Sequence, residues 1–389
     1  MVVSSNEFID RLYYSVCTPP QTERNYTQII CIGDPPSPLL TPAPAHRAPS
    51  FYPNFADVTI RFIVFSLLVL LACAPQPAKR GDADTGLRIE SILAEPTQQL
   101  FGPTPRIEVL VDGLDWSEGP LVLPDGRVLC SDVPRNHILQ WQEGKSSIWL
   151  ANSGDAADDY SREPGSNGLA LTTAGDLLLC QHGSRRVAQL DAPLDAPLPR
   201  YLSVADRYRG KRFNSPNDLV VASDGSILFT DPPYGLPQDA ERDLEFCGVY
   251  RVDPRGLVTL LTKAYSRPNG IGLSPDEKTL YIGNSDGKRA VVTATPIDAE
   301  FKLGTPRTLL DATELVGQVP GLPDGLAVSR TGRIFATAPG GVWVLEADGT
   351  LLAKVRSDAP VSNVALSPAE DWLYMTNDDR LVRVKLTPL

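Results

Sequence analysis

Histidine is scarce in this chain, three in 389 residues, and methionine is scarcer, with two. Six cysteines are present, none in C-x-x-C spacing. A typical zinc site built on His and Cys therefore has little to draw on. Basic charge is short too: 36 Lys and Arg face 47 Asp and Glu, a net charge of −11. Nucleic-acid binding would demand a basic groove, so that class is excluded. An acidic surface is otherwise ordinary for a soluble protein and names no substrate. No G-x-S-x-G elbow occurs, so serine-hydrolase chemistry has no support, and no phosphate loop or dinucleotide fingerprint occurs either. Helical 3.6-residue stripes are missing from the body of the chain.

What is there is a repeat. Arg212 to Gly235 reads as a polar tip, a short apolar strand led by Asn217, a turn at Asp224-Gly225 and a returning strand ending near Asp231. Asp-Gly between two short apolar runs is a strong hairpin signal, because Gly tolerates the positive φ such turns need. The pattern recurs behind Glu118, Asn167, Asn269, Asp324 and Asn363, with the turn seven to eight residues after each leading residue. Successive leading residues lie 49, 50, 52, 55 and 39 positions apart. A period near fifty with several short strands per unit predicts an all-β, six-bladed β-propeller of four-stranded blades. Repeat folds grow as one unit, so 105–389 is expected to form a single domain despite its length. The last copy has chain for only two strands beyond its first, and residues near 106–111 (RIEVLV) are expected to close the ring. The loops Asn152 to Ser166 and Pro232 to Phe246 should wall one mouth.

Residues 1–57 are Pro-rich and carry no repeat, and are read as a non-native or disordered extension. Arg61 then precedes an apolar run, Phe62 to Ala72, too short to span a bilayer comfortably and fitting the h-region of a secretory signal. It ends Leu70-Leu71-Ala72-Cys73, which resembles a bacterial lipobox. Residues 58–73 are therefore read as a lipoprotein-type signal with Val58 as initiator, and 74–104 as a tether. Cys73 is the expected lipidation site, giving membrane association through a lipid anchor only, in a periplasm-facing envelope protein. Cys130, Cys180 and Cys247 are read as small buried hydrophobes.

The innermost strand of a blade lines the central channel, so the six leading residues should converge at one mouth. All six carry oxygen: two carboxylates and four amides. Asn and Asp also suit turns, so any one of them alone is unremarkable; the six-fold set predicts a hard-cation site, with calcium foremost and zinc, magnesium or manganese as alternatives.

The motifs W-S-E-G-P (116–120), S-P-N-D (215–218), D-G-S-I-L-F-T-D-P-P-Y-G (224–235), R-P-N-G (267–270) and P-D-G-L (323–326) resemble those of the regucalcin/gluconolactonase family over roughly residues 105–385. The resemblance implies a six-bladed propeller with a divalent cation in its tunnel, and a lactone hydrolase. It places the metal ligands on Glu118, Asn217, Asn269 and Asp324, and matches an H-G-x-R-R element to His182–Arg186. Where animal members carry an Arg two residues before Asn-Asp, this chain has Ser215. Asn167, Asn217, Tyr234 and Arg186 are expected to contact the lactone. Asp324 is the base that the family suggests, with Asp231 and His182 as alternatives; a cation would lower the basicity of Asp324. An arylesterase or phosphotriesterase on the same site, or a ligand-binding propeller without catalysis, are the rival readings. A monomer or dimer is expected.

Overall fold

A computed structural model describes residues 85–157, 160, 162–237 and 242–387. Cys73, the signal segment, residues 1–57 and the tether as far as residue 84 lie outside the described residues. Among the described residues no helix is long and apolar enough to cross a membrane.

Six antiparallel sheets of four or five strands follow one another along the chain; in four of them the strands keep sequence order, and the last two each add a strand from the N-terminal side. Blade one is Ser117–Val122, Val128–Asp132, His137–Gln142 and Lys145–Ala151; blade two is Ser166–Leu171, Leu177–Gln181, Arg186–Leu190 and Tyr201–Ala205. Blade three is Leu219–Val221, Ile227–Asp231, Gly248–Val252 and Val258–Thr262; blade four is Pro268–Leu273, Thr279–Asp286, Arg289–Pro296 and Arg307–Asp311. Blade five starts at Leu326–Val328 and runs through Ile334–Ala338 and Gly341–Leu345 to Leu351–Ser357. Blade six, Val361–Leu366, Trp372–Asn377 and Arg380–Lys385, is completed by Ile107–Val111, which pairs antiparallel with Arg380–Lys385 as expected.

Four of the six first hairpins turn alike, and in blades four and six a loop one residue longer puts Glu277 and Glu370 at positive φ instead. Leu123 N donates to Arg127 O at 2.8 Å and Gly126 N to Leu123 O at 2.9 Å, a three-residue loop whose last member must adopt the left-handed region. Gly126 does so with φ 88°, and Gly175, Gly225 and Gly332 repeat it at the equivalent position.

Second strands are apolar on both faces because each lies between two neighbouring blades. Leu177, Leu179 and their cluster fill the gap to blade one, whereas Leu178 and Cys180 face blade three. The six apolar clusters among the described residues fall one to each blade junction, and the sixth, with Val111, Val128, Cys130, Tyr374 and Leu381, seals blade six to blade one. Cys130, Cys180 and Cys247 are buried and unpaired, as expected.

One expectation is corrected. The stretch read as a tether is structured from residue 87: Leu87–Ser91 adds a fifth strand outside blade five, and Ala94–Phe101 is a helix. Leu100 and Phe101 sink into the junction of blades five and six, and Thr387 N donates to Leu100 O at 2.7 Å. The segment thus fastens two adjacent blades before it reaches the closing strand.

Candidate active site

The six inner strands surround one axis, each touching the next. Hydrogen bonds between leading segments run around the ring. Ser131 Oγ donates to Asn167 O, Gly168 N to Asn217 O and Thr230 Oγ1 to Asn269 O, each at 2.8 Å. Gly270 N donates to Asp324 O and Gly325 N to Ser362 O at 2.7 Å, and Ser362 Oγ closes the circle on Ser117 O at 2.6 Å. Four leading residues are followed by Gly, and crowding explains why. A Cβ at Gly168 would lie 2.7 Å from Asn217 O and 2.8 Å from Asp218 Oδ1; at Gly119, Gly270 or Gly325 it would overlap Asn167 O, Asp324 O or Asn363 Oδ1 outright. These dipeptides are close contacts between neighbouring strands at the axis, not turns.

The leading side chains are brought together as expected. Glu118, Asn167, Asn217, Asn269 and Asn363 are buried, and Asp324 keeps some solvent contact. Four of their oxygens, Asn167 Oδ1, Asn217 Oδ1, Asn269 Oδ1 and Asp324 Oδ1, are buried with no hydrogen-bond partner among the described residues. Each such orphan costs roughly 1–3 kcal/mol unless something else satisfies it. Asn269 commits its Nδ2 to Ser285 Oγ at 3.1 Å, which leaves the oxygen end free for another partner. Asn363 differs: its Oδ1 accepts from Val364 N at 2.8 Å.

The carboxyls carry the same message in charge. Burial pushes Glu118 up to about 8, with Asp218 and Glu163 adding to the effect. Asp324 is pushed well above the usual range by burial, then by Glu118 and Asp218. Burial also lifts Asp218 to about 7, although it accepts from Leu219 N at 2.9 Å. Acidic groups crowded beside orphaned amide oxygens suit a cation with hard oxygen preferences. No cluster of three His, Cys, Asp or Glu residues with metal-holding geometry occurs among the described residues, so amide oxygens would have to complete the donor set.

Asp218 was not singled out from sequence, though a signal existed: it is acidic where four other copies have Gly. Glu163 had no such signal. It sits in the loop before blade two, with Oε2 3.7 Å from His182 Nδ1.

The remaining expected residues divide. Tyr234 lies beside Asp324, which together with burial raises its phenol, and its hydroxyl reaches Ser285 O at 3.4 Å. The Arg267 guanidinium stands 5.9 Å from the Tyr234 ring centroid. His182 belongs to the same mouth but is wholly buried, with neither ring nitrogen hydrogen-bonded among the described residues, and burial drives it down to about 3. A Cβ at Gly235 would overlap its ring, so His182 lies beneath the loops where substrate cannot touch it. Asp231 is tied elsewhere: its Oδ2 accepts from Asn214 N at 2.9 Å and Asn214 Nδ2 at 3.1 Å, fastening the approach to blade three. The charged groups it feels are Arg185 and Arg242, not the axial carboxyls. Arg186 is a strut, its Nη2 2.7 Å from Asp155 Oδ2 and its Nε 2.7 Å from Gln181 Oε1, which commits two of its donors to the protein and not to substrate.

Residues 116–378 match the family described as the SMP-30/Gluconolactonase/LRE-like region. A gluconolactonase from Zymomonas mobilis is 38% identical over 293 residues, which span 72% of this chain and 81% of the relative. Among solved structures, a gluconolactonase from Xanthomonas campestris superposes with a TM-score of 0.67 at 30% identity, covering 78% of this chain and 96% of that one. A calcium-binding protein, regucalcin, from Agrobacterium tumefaciens shares the fold, with a TM-score of 0.55 at 18% identity over 72% of this chain and 94% of its own.

Proposed function

Because the chain belongs to the SMP-30/gluconolactonase/LRE-like family, we propose that it hydrolyses a sugar lactone, or a related cyclic ester, with a divalent cation held in the axial oxygen cluster. The observation that carries this reading is the set of four buried, unpartnered oxygens on Asn167, Asn217, Asn269 and Asp324, beside the buried carboxyl of Glu118. Glu118, Asn217, Asn269 and Asp324 would hold the ion, and calcium suits a mixed carboxylate and amide set. When bound, the cation supplies Lewis acidity to the lactone carbonyl and to the oxyanion that develops there.

The chain's own groups do the rest. The amide of Asn167 stands next to the ion cluster, where it can orient a sugar hydroxyl. Tyr234, backed by Arg267, gives the substrate ring an aromatic wall beside Asp324. The loops 152–166 and 232–237 are joined by Tyr160 Oη donating to Gly235 O at 2.6 Å and Arg162 Nη1 to Leu236 O at 3.0 Å, so one side of the mouth is held as a unit.

The test is hydrolysis of D-glucono-1,5-lactone by the full-length protein, with and without chelator, against Asp324→Asn. Activity lost on chelation, restored by calcium and lowered at least about 100-fold in the variant is the expected result. Turnover indifferent to chelator would sink the cation, and turnover of aryl esters or phosphotriesters alone would move the substrate class. We also propose that Cys73 carries a lipid anchor facing the periplasm; Cys73→Ser should then shift the protein from the membrane to the soluble fraction, and a variant that stays with the membrane refutes the anchor.

A further inference from the structure

We infer that Glu163 is the base that takes the proton of the attacking water, and that buried His182 is the positioning residue that holds its carboxylate. This deepens the hydrolase reading and rests on it.

His182 is fully buried and, among the described residues, makes no hydrogen bond through either ring nitrogen. Burying a polar ring in that state costs free energy, so its retention requires a use. Among the described residues the one carboxylate paired with it is Glu163, whose Oε2 lies 3.7 Å from Nδ1, just outside hydrogen-bond reach. Glu163 keeps 26% of its side chain open to solvent. One end of the pair is thus sealed and the other can meet substrate and water.

The stretch just before Glu163 is tied to the facing loop, by Tyr160 Oη on Gly235 O and Arg162 Nη1 on Leu236 O. The Tyr160 hydroxyl also reaches His182 O at 3.5 Å, and Gly235 lies flat against the imidazole. Loop, ties and ring therefore set where the Glu163 backbone passes beside the imidazole. Its nearness to the axis is electrical as well: the charge of Glu163 helps to raise the pKa of both Glu118 and Asp324.

The alternatives are worse placed. Asp324 is a ligand to the proposed ion, which drains its basicity. Asp231 is bonded to Asn214 at the edge of blade three. Tyr234 has a phenol pushed up by burial and by Asp324. Glu163 is itself lifted to about 7 by burial, with Arg162 opposing, close to the range in which a general base works best.

The step balances simply. The water oxygen bonds to the lactone carbonyl carbon while its proton passes to Glu163. The bond from that carbon to the ring oxygen then breaks, and the ring oxygen leaves as a hydroxyl carrying the proton back from Glu163. One water is consumed, one hydroxy acid forms and nothing is oxidised.

The experiment compares the full-length wild type with Glu163→Gln and His182→Gln. It reads lactone hydrolysis from pH 5 to 8 above the uncatalysed blank, calcium affinity by calorimetry, and the His182 tautomer by nitrogen-15 NMR, which three histidines keep readable. Glu163→Gln should lower kcat at least about 100-fold with KM and calcium affinity within threefold. It should also abolish the acid-side fall in kcat expected of the wild type below about 7, where His182, Arg162, Tyr160, Glu118 and Asp324 are the groups around the carboxyl. The His182 ring should carry its proton on Nδ1 in the wild type and shift in Glu163→Gln, while His182→Gln should displace the acid limb and lower kcat less than Glu163→Gln does. A Glu163→Gln enzyme keeping a third of wild-type kcat overturns the inference, as does one rescued by excess calcium or a His182 protonated on Nε2 alone. A wild type without lactone turnover, whose Nδ1 proton still responds to Glu163→Gln, would refute the hydrolase reading and support the pairing.

Discussion

Asp231→Asn should make this protein more stable, and more so at pH 8 than at pH 5. Asp231 is wholly buried in blade three, one oxygen accepting from Asn214 and the other without a hydrogen-bond partner among the described residues. Burial lifts its carboxyl from an ordinary 3.8 to about 7. The folded-state value lies above the unfolded one, so protonation favours the fold. That contribution is complete below about 4 and is lost as pH rises through about 7. At pH 8 the group is charged in both states and the fold bears the whole burial cost, a ceiling of about 4 kcal/mol at 1.36 kcal/mol per pKa unit. At pH 5 the same arithmetic leaves under about 2 kcal/mol. Asparagine keeps the acceptor for Asn214 and never charges. For a propeller of about 300 residues, unfolding entropy near 0.6 kcal/mol/K converts the pH 8 figure into a rise in Tm of up to ~7 °C. Scanning calorimetry of both proteins at each pH measures it, and the other buried carboxyls cancel in the comparison. An equal change in Tm at pH 5 and pH 8 would refute the reasoning. A tenfold loss of kcat in the variant would return Asp231 to the chemistry.

Gly325→Ala should lower both stability and cation affinity, because its methyl overlaps Asn363 Oδ1 and the backbone has no room to retreat; a cost of about 1–3 kcal/mol is expected from denaturant titration. Phe101→Ala should cost roughly 3–5 kcal/mol by opening the junction of blades five and six, yet leave the KM for lactone unchanged, since Phe101 acts on closure and not on the site. A Phe101→Ala protein with an unaltered Tm would mean that the segment before Ile107 is ornamental.

How far the sequence could be read depended on whether a residue sat inside the repeat. The turn glycines, the axial oxygens and the strand that closes blade six all follow from period and pattern, because each copy has to solve the same geometric problem. Leu87–Ser91 and the helix after it solve a different one, the fastening of two particular blades, and nothing in the period announces them. Arg186 shows a second limit. Arg185 ends the turn before the strand, at φ 56°, and reaches Phe213 O, Asn214 O and Asp243, while Arg186 opens the strand and reaches Asp155 and Gln181; an adjacent pair in a motif cannot say where the turn stops and so which side each member meets.

The repeat also explains why chemistry collects where the pattern breaks. Four copies place Gly after the leading residue, because strands meeting at the axis leave no space for a Cβ. Blade three instead places Asp218 there, and its carboxyl fits only because Gly168, one blade earlier, yields the room. That exchange adds a third acidic group beside Glu118 and Asp324 and raises both. A ring of identical copies would give a symmetric funnel of amides able to bind an ion and little else. Asymmetry comes from Asp218 within the ring, and from the two unequal loops that carry Glu163 and Tyr234 to one side of it. A lactone offers a carbonyl on one side and a leaving oxygen on the other, so a site that hydrolyses it has to be one-sided, and the departures from the repeat supply that side.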